Sequence, residues 1–263
     1  MSYWNLIKKI MTAKFRAMSE FKKDSLIYLA LQIAYYLIIF FFFKTIFGFT
    51  NTIVGWNFNE VMFLFFINQM PFETLFTLGL NRFGYLITSG ELNIYLIKPK
   101  DTITLFTFWE INYHNLIFWF IALIFVISAF FILTVNLTFI SFILGFIAYI
   151  FGIISFLFIN SSIKILSFKY GNVEDASWLY RIIQGRFAEY PMAILSKPYF
   201  VLISFLFPPT VVTLFVPALI FLNKINLFWS IILTILLGIY ALLCLILFRR
   251  FFYKQLKNYE GYS

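Results

Sequence analysis

The sequence has little charge, one cysteine and one histidine. Charged residues make up 12% of the chain, against 62% hydrophobic residues and 39 phenylalanines. A water-soluble chain of 263 residues could not bury so much apolar surface, so the composition predicts an integral membrane protein. The single cysteine, Cys244, excludes an internal disulfide, and we interpret it as a small packing residue in the last apolar run.

The sequence also lacks motifs for catalysis. No glycine is followed by Lys-Ser or Lys-Thr, so a phosphate-binding loop is absent and any ATP that drives this protein is hydrolysed by another chain. Glu110 and His114 are four residues apart and are predicted to share a helix face. A metal site needs more ligands, so we interpret them as a stabilising pair at the membrane edge, flanked by aromatic residues. No catalytic residue and no metal ligand is predicted; a membrane-embedded enzyme that uses this pair is the more remote alternative.

Long apolar runs predict an all-α membrane protein. Several runs reach the roughly 20 residues that a helix needs to cross a bilayer. We predict an amphipathic helix in the membrane surface over 1–24, a short basic tail over 249–263, and a transmembrane domain over 25–263. The six predicted spans cover 25–47, 58–80, 116–133, 138–163, 191–207 and 227–247.

The basic residues predict the orientation of these spans. Six precede the first span, three lie in 82–100, five lie from 164 to 197 and four lie in the tail. The other side has Lys44 and Lys224. The excess of Lys and Arg on cytoplasmic loops predicts that both termini are cytoplasmic. The formal charge of +9 is therefore a signal of membrane orientation, and no nucleic-acid partner is predicted.

The loop over 82–100 is the most distinctive polar segment. Ser89 and Gly90 interrupt the apolar pattern, so a short helix is predicted to end there. Glu91 then falls in the first turn of the next helix, where a carboxylate is favourable. Pro99 ends that second helix, between two lysines. On these residues alone, an ordinary loop lying on the lipid headgroups remains an alternative.

The second predicted span contains unusual polar residues. Glu60 lies near its outer end, Asn68 at its centre, and Glu73 follows Pro71, which is predicted to kink the helix. A charge at mid-membrane costs about 2.5 to 3.5 kcal/mol, so Glu73 should face protein or water. Two interpretations stay open: a polar face on a translocation pathway or dimer seam, and a carboxyl group that only holds helices together.

Two later segments depart from simple spans. Residues 164–190 mix apolar side chains with Glu174, Asp175, Arg181 and Arg186, and most such charges belong to solvated faces. In the fifth apolar run, Pro208, Pro209 and Pro217 disfavour one continuous helix. We therefore predict a re-entrant segment over 211–222, which is too short to cross the bilayer.

A family resemblance adds to this interpretation. Residues 90–99, GELNIYLIKP, resemble the signature between the second and third spans of a permease family within the type-2 ABC (ATP-binding cassette) exporters. The resemblance continues through Tyr190-Pro191, Phe207-Pro208 and Pro217-Ala218, and then through Lys257, Tyr259 and Gly261. Asn93 stands where the family usually has an acidic residue, which leaves no ionic role for that position.

The resemblance implies a function. It implies that the loop is a coupling helix that docks onto a separate ABC ATPase, which binds ATP and Mg²⁺, whereas this chain binds no cofactor. The coupling residues would be Gly90, Glu91, Leu92, Asn93, Leu96, Lys98 and Pro99. The leading hypothesis is the permease subunit of an exporter in a bacterial plasma membrane. It would pair with a second copy or a sister permease and move a hydrophobic or amphipathic substrate, such as a peptide, lipid or drug. The alternative is a proton-coupled secondary transporter that uses Glu73.

Overall fold

The computed structural model describes residues 22–132, 138–188, 190–208, 211, 215–257 and 259, together with 5, 8–10, 12–13 and 16. The predicted amphipathic helix over 1–24 therefore falls mostly outside the described residues. The described chain is helical and contains no strand beyond an isolated bridge between Ile53 and Trp56, which confirms the all-α prediction.

Twelve α-helices are described, and two short 3-10 helices, Gly79–Arg82 and Met192–Ile194, join some of them. In chain order the α-helices are α1 Lys22–Phe49, α2 Phe58–Thr77, α3 Phe83–Thr88, α4 Asn93–Leu96, α5 Thr102–Trp109, α6 Tyr113–Ile132, α7 Phe139–Ile165, α8 Ser167–Tyr170, α9 Glu174–Ala188, α10 Lys197–Leu206, α11 Val216–Phe221 and α12 Leu227–Leu256.

Three stretches of described helix are long and apolar enough to cross a membrane: Leu26–Phe49, Phe139–Tyr170 and Leu227–Leu256. A fourth is obtained when Phe58–Thr77 and Gly79–Thr88, which meet at an angle of 61°, are counted as one span. Asn115–Phe131 and Lys197–Leu206 are apolar but shorter. The ten residues of α10 extend about 15 Å, half of a hydrocarbon core of about 30 Å. The count of six spans thus stays a prediction.

Helix α2 shows how the sequence sets a local structure. Asn57 and Glu60 form a reciprocal capping box at its start, which satisfies two unpaired backbone N–H groups. The helix continues through Pro71, which cannot donate a hydrogen bond to the Ile67 carbonyl. The buried Tyr149 hydroxyl of α7 donates to that carbonyl instead. The 61° change of direction comes later, between Thr77 and Gly79.

Helix α7 is the centre of the packing, with α12 and α11 against it, while α2 packs along α6. Small residues allow these close contacts. A Cβ added to Gly145 would lie 2.6 Å from the ring of Phe221, and one added to Gly238 would lie 3.0 Å from Phe151. Most side chains of α1 stay exposed, apart from buried residues such as Tyr36 and Phe43.

The bundle has two ends of different composition. We call the end that holds residues 82–100, 164–177 and 249–257 the basic end, because these segments contact one another there. The opposite end holds residues 50–57 and 222–226, which meet through Lys224 and the Gly55 carbonyl.

Helix α9 buries polar side chains and exposes apolar ones, the opposite of what is expected for a helix on a protein surface. Its buried residues are Ser177, Arg181, Gln184 and Ala188, whereas Trp178 is 59% exposed. The sequence predicted solvated charges on this segment, and for Arg181 that prediction is wrong. Arg181 can be buried because its guanidinium donates to the Asn81 side chain and to the Ser177 carbonyl.

Candidate functional site

The segment 82–100 is anchored along its inner side. Helix α3 ends at Thr88, and Gly90 has φ of +75°, a conformation that glycine adopts without strain. The backbone N–H of Leu92 then donates to the Leu86 carbonyl over 2.9 Å. Leu92 is fully buried and Tyr95 nearly so, in an apolar cluster with residues of α3, α5 and α12. The chain therefore folds back on itself at the position where the sequence predicted a helix end.

The outer side of the same segment is apolar and exposed. Ile97 is 83% exposed, and Ile94, Tyr85 and Trp109 are also exposed large side chains. The ammonium group of Lys98 lies 4.0 Å from the centre of the Trp109 ring. Asn93 and Pro99 are exposed, while Gly90, Glu91, Leu96 and Lys98 are half-buried. Large apolar side chains exposed close together in the sequence, such as Ile94 and Ile97, favour an interaction site.

Glu110, which lies outside the segment, binds two of its residues, Arg82 and Tyr95. Its carboxylate accepts a hydrogen bond from Arg82 over 2.6 Å and another from the Tyr95 hydroxyl. Burial and this bond to Glu110 raise the pKa of Tyr95. Helix α5 ends at Trp109 and α6 begins at Tyr113, so Glu110 lies between helices. The prediction that Glu110 shares a helix face with His114 is wrong for that reason, and the His114 side chain lies outside the described residues.

Asp101 joins the end of the segment to the last long helix. Its side chain caps α5 by accepting from the backbone N–H of Thr104. It also accepts from Arg249 and from the Tyr253 hydroxyl of α12, each over 2.8 Å. Burial opposes ionisation, but the hydrogen bonds from Thr104 and Tyr253 and the charge of Arg249 together lower the pKa of Asp101 below its usual range.

A largely buried polar cluster joins Asn81, the residue directly before the segment, to α7 and α9. Lys164, at the end of α7, is 1% exposed and donates to the Asn81 carbonyl and to Glu174, the latter over 3.1 Å. Arg181 donates to the Asn81 side chain and to the Ser177 carbonyl. We call these four residues, Asn81, Lys164, Glu174 and Arg181, the latch. Burial lowers the pKa of Arg181, an effect that the charge of Glu174 partly offsets.

Gly84 lets α3 approach the latch. A Cβ at this position would lie 2.5 Å from the Glu174 carboxylate and 3.2 Å from the Ser167 hydroxyl. Only glycine therefore fits here without a shift of its neighbours. Sequence reasoning missed the latch, although one signal was present: Lys164 ends a long apolar helix, and a lysine there needs an acidic partner nearby.

A cavity of about 280 Å³ lies between α1, α2 and α9. Glu73 and Asn68 line it, whereas Glu60 lies at the opposite end, where it pairs with Lys224 over 2.9 Å. Gln32 of α1 reaches Glu73 at 3.5 Å. Of the three residues predicted to line a pathway, the structure thus brings Asn68 and Glu73 together and places Glu60 elsewhere. The lining residues are Tyr35, Asn68, Gln69, Phe72, Glu73, Phe76, Trp178, Arg181, Ile182, Gly185 and Arg186.

The prolines of the predicted re-entrant segment are described in part. Pro208 follows α10, Pro209 lies outside the described residues, and Pro217 is buried in the first turn of α11. The six residues of α11 end at Phe221, whose ring packs against Phe63 and Phe130. Among the described residues, no group of three or more His, Cys, Asp or Glu side chains could hold a metal ion.

The long apolar helices and their polar connecting segments define a multi-pass membrane protein. Comparison with protein families then identifies its kind. The model of the ABC-2 family transporter protein matches residues 33–263, and the chain belongs to this family. The chain is accordingly a permease, the transport component of an ABC transporter, and the family associates with ABC ATPases in general. Comparison with curated proteins and with solved structures gives no match.

Proposed function

We propose that this chain is the membrane-spanning subunit of an ATP-driven exporter, and that residues 82–100 receive the movement of a separate ABC ATPase. The observation that carries this proposal is the two-sided segment itself. Its inner side is buried and bonded to the bundle, while Ile94 and Ile97 stand exposed on its outer side. A partner that docks on those residues would act on a rigid support.

Within that segment, Gly90 to Pro99 would make the docking contact. After the turn at Gly90, Asn93 is exposed and Glu91 is half-buried, and Lys98 and Pro99 end the segment. Movement of the segment would then pass through the latch to α7 and α9, and through Asp101 and Arg249 to α12. Rigid-body movement of this kind is an established way to switch a transporter between states.

The proposal includes six spans with both termini cytoplasmic, so that the basic end faces the ATPase. It also includes a dimer, either with a second copy or with a sister permease, and a location in a bacterial plasma membrane. The distribution of Lys and Arg supports this orientation. ATP and Mg²⁺ would bind in the partner ATPase, and a pathway along the seam of the dimer would carry a hydrophobic or amphipathic substrate.

Affinity purification in mild detergent tests the docking site. A double variant, Gly90→Ala with Glu91→Gln, should lose the ABC ATPase that purifies with the wild-type chain. The matched control is Gly48→Ala with Glu60→Gln, which changes the same residue types towards the opposite end and should retain the ATPase. In the same strain, Glu91→Arg should abolish ATP-dependent export while membrane insertion stays intact.

Two outcomes would contradict the proposal: one concerns the docking site, and the other concerns coupling to ATP. Equal recovery of the ATPase with both double variants would show that 90–91 is not the docking site. Recovery of no ATPase with the wild-type chain would contradict ATP coupling itself. In that case a proton-coupled carrier becomes the better hypothesis, and Glu73→Gln, which cannot carry a proton, should then abolish transport driven by a pH gradient.

A further inference from the structure

The cavity between α1, α2 and α9 has features of a ligand site. Its α2 wall carries Asn68, Phe72 and Phe76, which recur at intervals of one helical turn and so face the same side. Its α9 wall carries Trp178, Arg181 and Gly185 with a similar spacing. A volume of about 280 Å³ is near the lower end of the range for small-molecule pockets, roughly 300 to 1,000 Å³. The cavity therefore suits a small ligand or the headgroup of a larger one.

The α2 wall offers hydrogen-bond acceptors. The side-chain oxygen of Asn68, a residue that is 1% exposed, is buried and has no hydrogen-bond partner within the described structure. An unsatisfied buried polar group is unfavourable, so a ligand that reaches this oxygen and donates to it removes that penalty. Five residues further along α2 lies Glu73, whose carboxylate is reached by Gln32 only at the long distance of 3.5 Å. Both groups favour a ligand with a positively charged donor.

The rings around these acceptors favour the same chemistry. Tyr35, Phe72 and Trp178 line the cavity, whereas the ring of Phe76, which also lines it, already faces the Arg181 guanidinium at 5.3 Å. An ammonium group between aromatic faces is stabilised by cation–π attraction, and more so where water is excluded. A carboxylate with aromatic walls is a common arrangement for binding organic cations.

The α9 wall has the opposite charge. Arg181 lines the cavity, but its guanidinium already donates to Asn81 and to the Ser177 carbonyl. Arg186, five residues further along α9, also lines the cavity. A ligand that met only the acidic wall would place its cation opposite these two arginines. A ligand that also carries an anionic group is attracted to both walls.

We propose that this cavity binds a zwitterionic amphiphile, with its ammonium group at Glu73 and Asn68 and its anionic group at Arg186. The ligand's tail would leave past Trp178 and Ile182, which are exposed and apolar at the rim. This proposal rests on the proposed function, since it names the class of substrate that the exporter would take up. Phosphoethanolamine and its lysophospholipid share the required headgroup.

The test measures binding to the purified permease in a non-ionic detergent, without ATPase or ATP. Lysophosphatidylethanolamine is the zwitterionic probe, and lysophosphatidylglycerol is the anionic probe of equal chain length. We expect saturable binding of one zwitterionic molecule per chain. Glu73→Gln and Arg186→Gln should each weaken it at least tenfold, whereas Asp175→Asn and Arg250→Gln, matched changes outside the cavity, should leave the affinity unchanged.

A further variant separates binding from folding. Asn68→Leu removes the unsatisfied oxygen, so it should raise the melting temperature of the ligand-free protein and still weaken binding at least threefold. Competition with free phosphoethanolamine distinguishes the source of the headgroup. Equal affinity for the free headgroup would support a soluble zwitterion, and a requirement for the acyl chain would support a lipid.

Three results would overturn the inference: no saturable binding, equal binding of the anionic probe, or cavity variants that bind as well as the controls. Because no ATPase is present in this experiment, these results leave the docking proposal standing. Loss of ATPase co-purification, in turn, leaves the binding result intact. The two proposals can therefore fail separately.

Discussion

The two ends of the helix bundle are held together in different ways. At the basic end, charged and polar side chains from distant parts of the chain meet in three places: the latch, the contacts of Glu110, and the contacts of Asp101. At the opposite end, one described ion pair joins Lys224 to Glu60, and aromatic side chains such as Trp56 and Phe215 stack beside it.

This difference indicates which end moves as a unit. The buried charges of the latch, Lys164 and Arg181, have few alternative arrangements, because any separation leaves a charge without a partner. Aromatic contacts allow small sliding movements at little cost, since dispersion attraction depends weakly on direction. We infer that the basic end transmits movement and that the opposite end accommodates it. Four substitutions test this contrast.

The largest effect is expected for Lys164→Met. It would leave the Asn81 carbonyl and Glu174 without their buried partner. Because Glu174 is 32% exposed, we expect a cost of about 3 kcal/mol, the lower end of the range for breaking a buried pair. The free energy of unfolding, measured in detergent by denaturant titration, should fall by that amount. The complementary variant Glu174→Gln should also lose stability, because it leaves Lys164 and the buried Arg181 without a carboxylate. A single variant as stable as the wild type would show that the latch does not hold the basic end.

Gly84→Ala is expected to have the next largest effect. The added methyl group overlaps the Glu174 carboxylate, so either this side chain or α3 must shift, at a cost of about 1 to 3 kcal/mol. The matched control is Gly48→Ala, since a Cβ at Gly48 meets nothing within 4 Å. The control should be neutral or slightly stabilising. Equal melting temperatures for the two variants would contradict the close approach at Gly84.

Asp101→Asn should give a smaller effect that depends on pH. Asparagine still caps α5 but loses the charge that pairs with Arg249, so at neutral pH the variant should be less stable by about 0.2 to 1 kcal/mol. The folded-state pKa of Asp101 is lowered, so its contribution is complete above the ordinary value near 3.9 and is lost as pH falls through the folded pKa. The difference from wild type should therefore shrink in acid. A difference that is constant between pH 7 and pH 3 would exclude a charge effect.

The smallest effect is expected at the opposite end. Glu60→Gln removes the charge that pairs with Lys224, yet it preserves a side chain that can complete the capping box with Asn57. Partly exposed ion pairs contribute about 0 to 1 kcal/mol, so the melting temperature should hardly change. A loss as large as that of Lys164→Met would show that the two ends are equally rigid and would remove the contrast.

The sequence predicts the apolar parts of this fold better than the polar contacts. The long runs of α1, α7 and α12 are recognisable because length and hydropathy are local properties. The turn at Gly90 is also local, since serine and glycine act on their own backbone. Likewise, Pro71 and the capping box of Asn57 and Glu60 are visible in the sequence, but the sequence does not reveal that Tyr149 supplies the hydrogen bond to the Ile67 carbonyl.

The contacts that build the candidate site are between residues distant in sequence. Asn81 and Arg181 are a hundred positions apart, and Asp101 and Arg249 are further apart still. Glu73 was predicted to face protein or water, and it lines the cavity. Its position opposite α9 could not be predicted, because α9 has mixed composition and no pattern in it marks the polar side as the buried one.

Arg181 belongs both to the latch and to the wall of the cavity. Its position has a thermodynamic consequence, because a free-energy coupling between two binding events is reciprocal. If an occupied cavity shifts Arg181, and with it Asn81, the affinity for the ATPase changes by some factor. The docked ATPase must then change the affinity of the cavity for its ligand by the same factor. In that case the guanidinium of Arg181 couples ligand binding in the cavity to docking of the ATPase, and either affinity reports the coupling.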